Sequence, residues 1–129
     1  MLVLGRMSRR LQTATAGVLS QGLLSALAMV NKHGPLRVSD LAQLEAVSAP
    51  TMTRTLAELE SRGYIVRHAD PDDGRVVLVE ASEAGAVAVQ EARAARALVV
   101  EQMLTHLSPD ELNAVMAALP ALERLIEPS

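Results

Sequence analysis

The hydrophobic period of this chain changes at Gly63, and that change constrains the fold more than any other feature. Upstream, Met52, Leu56 and Leu59 recur at steps of four and three, the spacing of a helix with one buried face. Downstream, Tyr64-Ile65-Val66-Arg67-His68 and Val76-Val77-Leu78-Val79 flank Asp70-Pro71-Asp72-Asp73-Gly74. Two β-rich runs around a Pro/Asp/Gly turn predict a hairpin. Helical spacing returns at Ser82. The chain has 129 residues, a length that suits one domain. Half of the residues are hydrophobic, enough for a core and too many for disorder. With one Tyr and no Phe or Trp, that core must be built from Leu, Val, Ala and Met. Such a composition favours helices over a β-sandwich. The expected class is mainly α with a small β-hairpin, an α+β chain.

The helices can be placed by their caps. Residues 3–15 predict a first helix with Arg6, Arg9 and Arg10 on a basic face and Gly17 as its break. Ser20 caps a second helix that runs to about Lys32 and stops at His33-Gly34-Pro35. Ser39 is the expected cap of a short third helix, with Asp40 favourably placed at its dipole. Leu41, Ala42 and Leu44 are expected to pack inward, and the break falls around Ala46-Val47. Ser48 caps a fourth helix with Pro50 in its first turn, and Gly63 ends it. Glu58 and Arg62 stand four apart on that helix, in the favourable order. From Ser82 to about His106 the chain is Ala-rich, with Ala84, Ala88, Ala92, Ala95, Val99 and Met103 on one face. Ser108-Pro109-Asp110-Glu111 starts a last helix toward Ile126, which Pro120 should kink or interrupt. The apolar stripes of these two helices are too long for so small a chain to cover. Pairing with a second copy would bury them.

Several function classes are excluded on composition. There is no cysteine, hence no disulfide scaffold, thiolate metal site, cysteine nucleophile or redox sensor. That usage fits a reducing cytoplasm. His33, His68 and His106 show no ligand spacing, so no metal is expected. Asp70, Asp72 and Asp73 lack the glutamate a calcium loop needs, and turn chemistry explains them. The sequence has no Gly-rich phosphate loop, nucleophile elbow or cofactor signature, so neither catalysis nor a cofactor is expected. Residues 11–31 carry no charge and follow Arg9 and Arg10, but Gln12, Thr13, Thr15, Ser20, Gln21 and Ser25 interrupt them. Neither a signal peptide nor a membrane span is expected there. Net charge is −3, which argues weakly against nucleic acid. The distribution argues otherwise: residues 1–37 hold five basic residues and no acid, and all basic residues but Lys32 are arginine. Arginine is the residue of bidentate recognition.

Helix, short helix, tight turn, capped helix and hairpin follow one another in the order of a winged helix-turn-helix. If Met52, Leu56 and Leu59 face in, the start of the fourth helix exposes Ser48, Pro50, Thr51, Thr53 and Arg54. Small hydroxyls reach phosphates or base edges, and an arginine can fork onto a guanine. The helix N-terminus adds positive dipole and free N–H groups. Arg75 stands at the hairpin tip, sized and charged for a minor groove, and Asp73 two residues earlier can hold its guanidinium. Blander readings compete. Thr51 and Thr53 can be solvated helix residues, Arg54 can pair with Glu58, and Arg75 can merely complete an Asp-rich turn.

The stretches Gly34-Pro35-Leu36-Arg37-Val38-Ser39-Asp40-Leu41-Ala42, Val47-Ser48-Ala49-Pro50-Thr51-Met52-Thr53-Arg54 and Leu59-Glu60-Ser61-Arg62-Gly63-Tyr64-Ile65-Val66-Arg67 resemble the MarR family of bacterial transcription regulators. The tip Asp70-Pro71-Asp72-Asp73-Gly74-Arg75 is similar to that family's wing motif, and Ser82-Glu83-Ala84-Gly85 to the start of its long fifth helix. The resemblance covers roughly residues 34–85.

It implies a cytoplasmic homodimer on short palindromic double-stranded DNA, a repressor more often than an activator. A small aromatic or phenolic effector would release the DNA. By the same resemblance, Ser48, Pro50, Thr51, Thr53, Arg54 and Arg75 contact DNA, Asp73 supports Arg75, and Arg37 meets a phosphate. Residues 1–16 and 82–129 become dimerisation helices of a single domain, and residues 17–81 its DNA-binding region. The chain departs from the pattern at Gly74, often Arg; at Glu45, often a buried leucine for which Leu44 would compensate; and at Ala46, commonly glycine. An alanine at that last position predicts a turn without positive φ. A winged-helix module that binds protein rather than DNA is the alternative.

Overall fold

The computed structural model describes residues 2–15 and 19–127. Two compact units are present, Met1–Arg96 and Ala97–Ser129. The first holds α1 (Leu2–Thr15), α2 (Gln21–His33), β1 (Leu36–Arg37), α3 (Val38–Leu44), α4 (Ala49–Ser61), β2 (Ile65–Ala69), β3 (Val77–Ala81) and the start of α5 (Glu83–Leu104). The second holds the end of α5 and α6 (Pro109–Ile126). Gly17, the expected break after the first helix, lies outside the described residues.

The core of the first unit is aliphatic, as the shortage of aromatics requires. Leu24, Leu27 and Val30 of α2 meet Leu41 of α3, Met52, Leu56 and Leu59 of α4, Ile65 of β2, Val79 of β3 and Val89 of α5. The four-and-three spacing of α4 thus marks its buried face. Its ends also follow the sequence. Ser48 caps it, and Gly63 follows with φ +78, a left-handed conformation that glycine adopts without cost.

The hairpin is present, and a third strand joins it. β2 and β3 pair antiparallel from Ile65↔Ala81 to Ala69↔Val77, and β1 adds Leu36↔Val79 and Arg37↔Leu78 on the other edge of β3. Two residues are too short for any period to show in sequence. That strand moves the start of α3. Its cap position is Arg37, without a side-chain cap bond, and Ser39 lies inside the helix instead of capping it. Strand pairing holds Leu36 and Arg37 extended, and the chain enters the helix at Val38.

Two further expectations at the end of α3 are corrected. Leu44 does not pack inward: it is 53% exposed, because it falls off the face that carries Leu41 and Ala42. Ala46 keeps a positive φ of 55°. The tight connection, in which the Val47 N–H donates to the Ala42 carbonyl at 3.0 Å, holds an alanine where glycine would be unstrained. A left-handed alanine costs about 1–2 kcal/mol, part of which glycine returns as unfolded-state entropy. Ala46→Gly is therefore expected to stabilise the fold by about 1 kcal/mol, seen as a raised melting temperature.

On α5 the buried positions are Gly85 and Val89, flanked by Ala88 and Ala92, while Ala84 is exposed. In the second unit, α6 begins with a full capping box. The Glu111 N–H donates to the Ser108 hydroxyl oxygen at 3.1 Å, and the Ser108 N–H donates to Glu111 at 3.0 Å. The Ser108 backbone N–H, and after it the Ser108 hydroxyl, hold the Glu111 carboxyl below its usual range. Pro120 does not interrupt α6, which continues to Ile126. The carbonyl of Met116 loses its donor there, but Met116 is 54% exposed and water can replace it. Among its described residues this unit buries none, and it exposes Met116, Leu119, Leu122, Leu125 and Ile126.

Candidate nucleic-acid interface

The first turn of α4 presents a small polar network. The Thr51 N–H donates to the Ser48 hydroxyl oxygen at 3.2 Å, and the Ser48 hydroxyl donates to Thr51 Oγ1 at 2.9 Å. Arg54 Nη2 reaches the same Thr51 oxygen at 3.5 Å, a long contact that orients the guanidinium without consuming it. Pro50, Thr53 and Arg54 are exposed, as the buried stripe requires, but Thr51 is only half-exposed. Its hydroxyl oxygen accepts from both Ser48 and Arg54. The pairing of Arg54 with Glu58 does not form. Glu58 is taken by Arg62 at 2.8 Å, the i,i+4 pair visible in the sequence.

The hairpin tip holds a more definite arrangement. Asp73 Oδ1 accepts from Arg75 Nε at 3.1 Å and from the Arg75 backbone N–H at 3.1 Å, and Oδ2 accepts from Arg75 Nη2 at 3.4 Å. Arg75 is nevertheless 91% exposed. A long cation that projects into solvent is here held in a fixed direction by two oxygens of one carboxylate. The Asp72 N–H donates to Asp70 Oδ1 at 2.8 Å, the Asx-type bond that explains the density of aspartates in this turn.

The Arg75 side chain, then its backbone N–H, lowers the Asp73 pKa, and the charge of Arg37 adds to the effect. Arg37, exposed on β1, thus acts electrostatically on the tip although it is far away in sequence. The folded-state pKa lies below the unfolded one. The tether is therefore complete above the ordinary aspartate range and lost as pH falls through the depressed value. Titration of Asp73 by NMR should show an acid-shifted midpoint that rises toward, without reaching, the usual range in Arg75→Ala, because the backbone N–H of residue 75 and the charge of Arg37 remain.

Sequence reasoning missed two contacts that tie this surface to its support. Arg67 of β2 forms an ion pair with Glu60 of α4 at 3.3 Å, joining the hairpin to the helix. The Ser25 hydroxyl of α2 donates to Glu45 at 2.7 Å, just before the turn into α4. Each pair joins two different elements, and neither carries a spacing signal.

A cavity of about 230 Å³ lies between α2 and α5. Leu24, Ala28, Met29 and Val89 line it together with Lys32, Arg93 and Arg96, and among the described residues no carboxylate or aromatic ring lines it. Among the described residues, no helix is long and apolar enough to cross a membrane.

Comparison with known proteins fits this geometry. The model of the MarR family matches residues 19–77. An uncharacterised HTH-type transcriptional regulator of Mycobacterium bovis is 35% identical over 129 residues, covering 99% of this chain and 90% of that protein. A crystal structure of a Pseudomonas aeruginosa transcriptional regulator superposes with a TM-score of 0.86 at 30% identity, over 98% of this chain and 89% of that one. A MepR variant of Staphylococcus aureus bound to an oligodeoxyribonucleotide shares the fold, with a TM-score of 0.76 at 18% identity over 98% of this chain and 94% of that one. With the capped helix, the hairpin and relatives that span nearly its whole length, the chain belongs to the MarR family: it is an HTH-type transcriptional regulator and not an enzyme.

Proposed function

We propose that this regulator is a repressor that binds a palindromic operator as a homodimer in the cytoplasm. The observation that carries the reading is Arg75, 91% exposed and yet held by both oxygens of Asp73. A merely solvated arginine has no need of that tether; an arginine that must enter a groove gains from a fixed direction. In this reading Ser48, Pro50, Thr53 and Arg54 enter the major groove, Thr51 orients Arg54, and Arg37 meets a phosphate. Residues 17–81 form the DNA-binding region of the domain. Residues 1–16 and 82–129 supply the dimer contacts. The support for dimerisation is apolar exposure: Leu2, Val3 and Leu4 on α1, and Leu122, Leu125 and Ile126 on α6, remain uncovered in the single chain. In support, the MepR variant that shares this fold is bound to an oligodeoxyribonucleotide. A small aromatic or phenolic ligand in the cavity between α2 and α5 would release the DNA. The cations Lys32, Arg93 and Arg96 suit its anionic form.

Arg54→Ala should cost about 1–3 kcal/mol of operator affinity and relax the preference at one base position of each half-site. The test is fluorescence anisotropy against duplexes tiled from the gene's own upstream region and against a random-sequence selection, at several salt concentrations. Tight, salt-dependent binding of two protomers to one palindrome is the expected result. Equal, weak binding to every duplex would replace this reading with a protein-binding module.

A further inference from the structure

We infer that Ser25 and Glu45 are positioning residues for the start of α4, joined by a hydrogen bond that runs from the cavity wall to the turn before that helix. Glu45 is the C-terminal cap residue of α3, Ala46 follows with φ 55°, and Ser48 caps α4 two residues later. A left-handed alanine persists only where its surroundings hold it. Local backbone bonds supply part of that hold: the Glu45 N–H donates to Leu41, the Ala46 N–H to Gln43 and the Val47 N–H to Ala42. All of these lie within α3 and its own turn, so they can fix the shape of the turn but not its place against another helix.

Core packing of Leu41 and Ala42 sets that place, and the Ser25 hydroxyl ties the turn itself to α2. It comes from α2, twenty residues earlier, and donates at 2.7 Å to a half-buried carboxylate, a short charge-assisted bond. Ser25 also lines the cavity between α2 and α5. One side chain therefore touches both the cavity and the turn that sets the first residues of α4. For its consequence on DNA the inference rests on α4 being the reading helix. For its structural content it does not.

The experiment has two arms on the full chain. In the first, amide hydrogen exchange is followed at Val47, Thr51 and Met52, whose N–H groups are bonded in the turn and first turn of α4. Ser25→Ala and Glu45→Ala are each expected to speed exchange there about fivefold, the worth of one such bond. Leu27 and Leu56 in the core should be unchanged. Ser25→Thr and Glu45→Gln, which keep the donor and the acceptor, should restore protection. Unchanged exchange at the three amides would overturn the inference. So would a uniform acceleration that includes the core, which marks general destabilisation.

In the second arm, operator affinity is measured beside Arg75→Ala. Ser25→Ala should weaken binding about threefold to tenfold, with its salt slope equal to that of the wild type because no phosphate contact is lost. Full affinity in Ser25→Ala, with Arg75→Ala impaired, would overturn the positioning role. A wild type that binds no duplex would instead sink the repressor reading, and the exchange arm alone would then decide the link.

Discussion

Arg75→Glu should abolish operator binding at physiological salt, with a loss of at least about a hundredfold, where Arg75→Ala should lose about tenfold. The difference comes from the tether. In the wild type, Asp73 neutralises part of the guanidinium charge while fixing its direction. A glutamate in its place would stand beside Asp73, Asp72 and Asp70 with only the charge of Arg37 to offset them, and the tip would repel a phosphate backbone. The proposed dimer would carry the change twice. The slope of log affinity against log salt should fall by about 2 for the alanine and by more for the glutamate. The loss should be similar for every duplex sequence. A loss confined to one base position would instead make Arg75 a base reader. Asp73→Asn separates direction from charge: it keeps the arginine and removes the carboxylate, so affinity should fall while the salt slope does not.

Gly85→Ala should destabilise the first unit by about 3 kcal/mol, a large share of the stability of a small domain. Gly85 is buried in the first turns of α5, and a Cβ there would fall well inside van der Waals distance of the Tyr64 carbonyl oxygen. That oxygen cannot move aside, because it accepts from the Ser82 N–H at 3.0 Å. Ser82 is doubly engaged at the same junction. Its hydroxyl donates to the Gly63 carbonyl at 2.6 Å and accepts from the Gly85 N–H at 3.1 Å. Alanine favours a helix interior by about 1 kcal/mol over glycine, which offsets only part of the clash. The helix start must therefore shift away from β2, and the shift reaches Leu27, whose side chain also bounds the site. Chemical denaturation would show a lower midpoint. An unchanged midpoint would mean that α5 can slide along the sheet without loss.

The sequence reveals most where chemistry is local. Ser20, Ser48 and Ser108 cap their helices by bonds to amides three residues on, and such bonds are visible as spacing. The buried stripe of α4, the hairpin and the Asp73–Arg75 pair belong to the same class. Two misreadings share a cause, a conformation imposed by another element. Ser39 looks like a cap, but pairing of β1 with β3 starts the helix earlier. Ala46 looks like a residue that avoids positive φ, but the connection between two packed helices imposes it. Thr51 is a local case: its hydroxyl oxygen accepts from Ser48 three residues before it and from Arg54 three residues after it.

The family, the order of the helices and the hairpin, and the exposed face of α4 were legible from residues within a few positions of one another. The contacts between Ser25 and Glu45, Arg67 and Glu60, and Gly85 and Tyr64 were decided only by the tertiary structure. The physical reason is range. Caps, turns and helical stripes are set by bonds and periods that a short segment contains whole. The register of one element against another is set by packing among side chains from α2, α4, β2, β3 and α5, and no single segment carries that information.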